Sequence, residues 1–148
     1  MTSDGIADAD WDRVHELVVD VVNASVSEDK AAEVRARASL FMLLDQLDDK
    51  YGPKPSLLAT RADYVETSEH REALLRLAYA EAARGNDQKN IILVAQSLTE
   101  FYLEEVGDFD QGATWLGTWR QLLGVSPAKD DRAELARLEE LLLRGGAA

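Results

Sequence analysis

The amino-acid sequence predicts an all-α protein of about seven helices. Apolar residues recur at helical spacing along most of the chain, and no segment alternates apolar and polar residues convincingly, as a half-exposed strand would. The three prolines, at positions 53, 55 and 127, fall in the gaps between these apolar segments. With 148 residues, the chain has the size of one ordinary domain and can bury its own core.

The first two helices are predicted from an apolar stripe and a capping residue. We expect the first helix over residues 10–23, and a second that is capped by Ser27 and runs to about Lys50. The segment 38–44 is apolar nearly all round, which predicts that it lies deep in the core. The stripe on the first helix comprises Trp11, Val14, Val18, Val21 and Val22.

Five further helices follow from glycine, proline and capping signals. The expected spans are Pro55–Glu66, Glu69–Arg84, Asp87–Val106, a sixth that ends at Gly124, and a last one that begins near Asp131. Thr67 or Ser68 is placed to cap the fourth helix, and Asp108 or Asp110 the sixth. Asp131 and Glu134 have the spacing of a capping box.

The composition narrows the classes of function. The chain has 28 acidic and 16 basic residues, a formal net charge of −12, which disfavours nucleic acid as a partner. It has no cysteine, so disulfides, thiolate metal sites and cysteine nucleophiles are excluded. No stretch approaches the roughly 20 apolar residues of a membrane span, and the acidic start does not have the pattern of a secretory signal. We therefore expect a cytoplasmic protein without a membrane partner.

Two parts of the middle of the chain match each other at nearly constant spacing. Tyr64 pairs with Tyr102 at a spacing of 38, whereas Ala73 pairs with Gly112 at 39. Gly85 also pairs with Gly124 at 39. A fixed period of this kind is typical of stacked helical hairpins. Tyr64, Ala73, Tyr102 and Gly112 are expected to pack between paired helices.

Residues 55–124 resemble two tetratricopeptide repeats, and the segment GDFDQGA closely resembles the turn between the two helices of such a repeat. The resemblance implies a single all-α domain over residues 1–148, with antiparallel hairpins stacked as a short right-handed superhelix. Residues 10–50 would then form a degenerate repeat or cap, and residues 130–144 a C-terminal capping helix. Arg61 and Trp119 depart from the pattern, since smaller residues are usual at both positions.

The resemblance also implies a groove lined by the first helix of each repeat. A partner segment with apolar anchors and basic flanks would suit such a face, because glutamates border its apolar positions. We therefore predict a non-catalytic protein–protein interaction scaffold. The expected groove residues are Leu58, Ala62, Val65 and Glu66 of the third helix, and Gln96, Glu100, Leu103 and Glu104 of the fifth.

Catalysis and metal binding are not predicted. His15 and His70 do not have the Glu-x-x-His pattern of helical metal sites, and no nucleophile elbow, P-loop or dinucleotide fingerprint occurs. We expect no catalytic residue, no metal and no cofactor. Trp115 and Trp119 lie four apart, which favours packing between helices over a ligand-binding aromatic cage.

Two other functions stay open at this point. The same face could close a structural homodimer and leave no free groove. A metal-dependent enzyme built on a helical bundle is the less favoured alternative.

Overall fold

The computed structural model describes residues 1–146 and contains seven α-helices, with no strand in that part of the chain. The helices are α1 (Asp8–Val26), α2 (Lys30–Tyr51), α3 (Pro55–Tyr64), α4 (Ser68–Arg84), α5 (Gln88–Glu100), α6 (Phe109–Leu123) and α7 (Lys129–Gly146). A π turn, Phe101–Glu105, continues α5. The predicted all-α class and number of helices are confirmed.

Most of the helices begin at a side chain that caps the first turn. The side chains of Thr67, Asp87 and Asp108 accept hydrogen bonds from backbone N–H groups three residues further on, so they cap α4, α5 and α6 as expected. Helix α2 differs, because Asp29 caps it through the N–H of Ala32. Ser27 instead ends α1, where its hydroxyl donates to the carbonyl of Asn23.

The predicted boundaries of three helices need correction. Helix α1 extends over Asp8–Val26 rather than residues 10–23. Helix α3 ends at Tyr64 rather than Glu66, and Val65 already has extended backbone. Helix α7 begins at Lys129, so Asp131 and Glu134 lie inside the helix and do not form the expected capping box.

Successive helices pack as hairpins, with α1 against α2, α3 against α4 and α5 against α6, and α7 packs on α6. Three apolar clusters follow the chain. The first joins α1 and α2, the second joins α3, α4 and α5, and the third joins α5, α6 and α7. Each hairpin therefore buries part of its surface against the next one.

The segment 38–44 is only partly buried. Leu40, Leu43 and Leu44 are in the core, whereas Ala38 and Met42 are exposed and 63% of the Met42 surface is accessible. The expectation that this whole segment is buried was wrong, because α2 packs mainly against α1 and α3 and leaves one side uncovered.

The four residues expected to pack between paired helices differ in their burial. Tyr102 and Gly112 are buried, and Tyr64 packs at the edge of the first cluster. Ala73 is exposed on α4, so it does not make the close helix contact predicted for it. The side chains that pack from α4 are one position or more further along the helix, at Leu74, Leu75, Ala78 and Ala82.

The π turn contains the matched tyrosine, Tyr102, and ends before the matched small residue, Gly112. The N–H of Val106 donates to the carbonyl of Phe101, five residues earlier, at 3.2 Å. A π turn holds one residue more than an α-helical turn, and it falls where the two repeat spacings differ by one residue. The turn places Leu103 against α6 and leaves Glu104 and Glu105 at the surface.

Residues 1–7 tie the first hairpin to the helices that follow. Ile6 is fully buried in the first cluster, and Asp4 accepts hydrogen bonds from the backbone N–H and the hydroxyl of Ser56 at 2.8 and 2.6 Å. The amide of Asn90, at the start of α5, donates to the hydroxyl of Ser3. This N-terminal arm therefore bridges the starts of α3 and α5.

Candidate functional site

A groove runs beside α3 and α5 and consists of two cavities in series. One has a volume of about 170 Å³ and is bordered by Trp11 from α1 as well as by α3 and α5. The other has a volume of about 440 Å³ and extends to the π turn. Both cavities are lined by Asp63 and Ser97, so they adjoin each other. We call this the α3–α5 groove, and its defining residues are Trp11, Ala59, Asp63, Leu93, Ser97 and Glu100.

Helical periodicity places these side chains in one row. Residues three or four apart share a helix face, so Leu93, Ser97 and Glu100 line one side of the groove from α5. Ala59 and Asp63 line the other side from α3. The opposite face of α5 carries buried residues such as Leu98 and packs into the core.

One end of the groove is apolar. Trp11 is half-buried against the first cluster, and Leu93 is 49% exposed. Together with Ala59 and Val94 they surround the smaller cavity. This end offers apolar surface that a bound side chain could cover.

The other end carries carboxylates, and Asp63 stands at the junction. Desolvation raises the pKa of the Asp63 carboxyl, and the nearby Arg71 opposes that shift. Arg71 donates to the carbonyls of Ala62 and Val65 at 2.8 and 2.7 Å and pairs with Glu105. Within residues 1–146, no hydrogen bond or ion pair reaches the Asp63 carboxylate. The Asp63 side chain is therefore accessible to solvent, although protein atoms around its carboxyl group partly desolvate it.

Glu100 is in a similar position. Burial raises the pKa of its carboxyl, and the charges of Glu134 and Glu104 raise it further, whereas the side chain of Gln96 and the charge of Arg137 oppose the shift. Arg137 of α7 donates to Glu104 at 2.5 Å and to Glu134 at 2.6 and 2.8 Å, but it makes no hydrogen bond to Glu100. Four carboxylates, those of Asp63, Glu100, Glu104 and Glu105, therefore line the larger cavity together with one cation, Arg71. Of the four, Asp63 and Glu100 make no ion pair in the described part of the chain.

Glu100, Glu104 and Glu134 come close enough to be compared with a metal site. Carboxylate oxygens from all three lie within 4.8 Å of one another, and oxygen ligands of this kind suit hard divalent cations. However, Arg137 already occupies two of the three carboxylates. The cluster is an ion-pair network that fastens α7 to the π turn.

The two histidines lie on different helices, His15 on α1 and His70 at the start of α4, and both are exposed. Trp119 is fully buried in the third cluster, and the ring of Trp115 packs edge-to-face on Tyr79 with centroids 4.8 Å apart. The preference for packing over an aromatic cage is confirmed for these two tryptophans.

The structure separates the groove residues expected from the sequence. Leu58, Ala62, Val65 and Leu103 are all less than 9% exposed and belong to the core. This corrects the expected apolar strip: in the folded chain those four side chains are not available at the surface. For Leu58 and Ala62 the physical reason is the rotation of α3, since its groove face carries Ala59 and Asp63 and each residue step turns a helix by about 100°. Val65 follows the end of α3, and the π turn places Leu103 against α6.

The polar residues predicted for this face do not all line the same cavity. Glu100 and Glu104 line the larger cavity, and Gln96 lies on α5, half-buried, in the turn before Glu100. Glu66 instead borders a different cavity of about 370 Å³ against α2, beside Lys30, Arg37 and Phe41. The predicted set is therefore split between two sides of α3.

Sequence reasoning missed Trp11, Ala59, Asp63, Leu93 and Ser97. Trp11 and Leu93 are part of apolar segments that also contain core residues such as Val14 and Val94, so nothing local marks them as groove residues. Asp63 is one of 28 acidic residues. It makes no ion pair because Arg71, although close, donates to the carbonyls of Ala62 and Val65 and pairs with Glu105.

No protein-family model, curated protein or solved structure was found to match this chain. No helix in residues 1–146 is both long and apolar enough to cross a lipid bilayer.

Proposed function

We propose that the protein is a non-catalytic interaction scaffold and that the α3–α5 groove binds a segment of a partner protein carrying apolar and basic residues. One observation carries the proposal: an apolar cavity adjoins a cavity lined by four carboxylates and a single cation. The stacked helical hairpins, similar to tetratricopeptide repeats, support it as a general architecture for segment binding.

The charges indicate the chemistry of the partner. Carboxylates outnumber cations around the larger cavity by four to one, and Asp63 and Glu100 make no ion pair in the described part of the chain. A lysine or arginine of the partner would therefore be attracted to this end. Complementary charge of this kind speeds encounter and selects among partners more than it raises raw affinity. The apolar end would supply the burial of nonpolar surface.

Selection from a random peptide library tests the proposal. Peptides that bind the immobilised wild-type protein are sequenced, synthesised with a fluorescent label and titrated by anisotropy. We expect enrichment of aromatic or aliphatic residues together with lysine or arginine. Leu93→Glu should weaken binding at least tenfold, because it places a charge in the apolar cavity.

Leu77→Glu is the matched control. Leu77 is 45% exposed on α4, close to the 49% exposure of Leu93, and it does not line the α3–α5 groove. Circular dichroism confirms that both variants fold. Selected peptides that bind both variants as well as the wild type would exclude this groove.

Glu104 is unsuitable as a test position. It holds Arg137 of α7, so a charge reversal at Glu104 would loosen α7 and change the fold as well as the groove. Asp63 and Glu100 make no ion pair within residues 1–146, so their substitution changes the groove more selectively.

A structural homodimer is the second candidate function. Val19, Val22 and Val26 are 45%, 46% and 79% exposed on α1, and they recur at helical spacing. A dimer through this face would be detected by sedimentation equilibrium and should dissociate in Val22→Glu. A monomer at all accessible concentrations would remove this candidate.

A further inference from the structure

The two ends of the α3–α5 groove are separated by a defined distance along α5. Leu93 marks the apolar end and Glu100 the acidic end, and seven residues of α-helix rise by about 10.5 Å. A bound segment must therefore present its apolar side chain and its basic side chain about that far apart.

The size of the apolar cavity restricts the conformation of that segment. A helix with its side chains is about 10–12 Å across, and a cavity of about 170 Å³ cannot hold one. The cavity can accept a single side chain from a segment that lies along the groove. An extended segment can insert one side chain in this way while its backbone lies along the groove.

An extended segment also needs hydrogen-bond partners for its backbone. The hydroxyl of Ser97 donates to the carbonyl of Leu93 at 3.2 Å, and that of Thr60 donates to the carbonyl of Ser56 at 2.8 Å. Each hydroxyl oxygen can still accept a hydrogen bond. Both line the smaller cavity, where a backbone N–H of the segment would pass.

We propose, resting on the proposed function, that the groove recognises an extended segment in which an aromatic or aliphatic residue and a lysine or arginine are three positions apart. In a polyproline II conformation, residues three apart lie on the same side and are separated by about 9.3 Å, close to the groove spacing. The apolar residue contacts Trp11 and Leu93. The cation lies between Asp63 and Glu100.

Synthetic peptides of one composition test this inference. Each is a labelled, end-blocked decapeptide with one phenylalanine and one arginine in a proline- and serine-rich background. The spacing between the two residues is one, three or seven positions, in both orders. Affinity is measured by fluorescence anisotropy against the wild type, the double variant Asp63→Asn with Glu100→Gln, and Asp49→Asn. Asp49 is an exposed aspartate on α2 and controls for charge removal.

We expect the spacing of three to bind at least tenfold more tightly than the other two spacings in one of the two orders. Replacement of the arginine by glutamine should cost about tenfold on the wild type and on Asp49→Asn. The same replacement should have little effect on the double variant, because its groove has already lost the two carboxylates.

The outcomes separate this inference from the proposed function. If binding is lost in Leu93→Glu, two results would keep the groove but overturn the spacing rule. One is an equal affinity for all three spacings. The other is a loss of affinity on arginine replacement that is as large in the double variant as in the wild type. If no peptide binds at millimolar concentration, or Leu93→Glu changes nothing, both proposals are wrong.

Discussion

Leu103 of the π turn packs against Gly112 of α6 so closely that a methyl group on Gly112 would overlap the Leu103 side chain. The contact joins the end of α5 to α6 at the point where the chain reverses. A residue without a side chain is therefore required at position 112 by packing, and its backbone conformation is that of an ordinary helix.

We predict that Gly112→Leu destabilises the protein by about 1–3 kcal/mol or more, because the extra atoms overpack the contact with Leu103. Urea unfolding followed by circular dichroism measures the effect. Ala73→Leu is the matched control: Ala73 is exposed on α4, so the same new side chain should change stability by less than about 0.5 kcal/mol. Equal effects of the two substitutions would contradict the packing assigned to Gly112.

The N-terminal arm gives a second prediction. Helix α3 has no capping side chain at Lys54, and Asp4 serves this purpose from elsewhere in the chain by accepting from the N–H and hydroxyl of Ser56. Asp4→Ala should cost about 0.5–2 kcal/mol, the usual value for loss of a helix cap. Asp20→Ala, at an exposed position on α1, should be nearly neutral in the same thermal unfolding assay.

The docking of α7 can be tested with two leucines of one helix. Leu138 is fully buried and Leu143 is 74% exposed. Leu138→Ala should cost about 2–5 kcal/mol through lost burial and a cavity, whereas Leu143→Ala should stay within about 0.5 kcal/mol. Hydrogen exchange should show the loss of protection concentrated in α7 and α6. If Leu138→Ala leaves exchange in α7 unchanged, the helix is not held by this contact.

The carboxyl groups of the groove predict a dependence of stability on pH. Burial raises the pKa of Asp63 in the folded protein, so the folded state favours the protonated form. That contribution is fully present below the unfolded pKa and is lost as the pH rises through the folded pKa. Asp63→Asn should therefore be more stable than the wild type at pH 7, and the difference should disappear in acid.

Binding of a basic segment should have the opposite pH dependence. Ionised Asp63 and Glu100 are needed to hold the cation, and both have raised pKa values. Affinity should fall as the pH drops, starting above the range in which ordinary carboxyl groups titrate. Thermal melts and peptide titrations from pH 3 to 8 check both predictions, with Asp49→Asn as the control. A wild type that is more stable than Asp63→Asn at pH 7 would contradict the first.

The helices were predictable because their signals are local. Thr67, Asp87 and Asp108 reach backbone groups only three residues away, so the sequence itself contains both partners of each cap. The spacing of apolar residues and the positions of proline and glycine act over similarly short distances. These signals determine the all-α class and most of the helix starts.

Tertiary packing decided which face of each helix meets a neighbour. Helix α3 has apolar residues on most of its circumference, including Leu57, Leu58, Ala59 and Ala62, so its pattern is compatible with several rotations. Contacts with α2, α4 and α5 selected the rotation that buries Leu58 and Ala62 and turns Asp63 toward Glu100. Asp63 and Glu100 are 37 residues apart, and Asp4 and Ser56 are 52 apart. No local signal links such partners, because only the packing of the intervening helices brings them together.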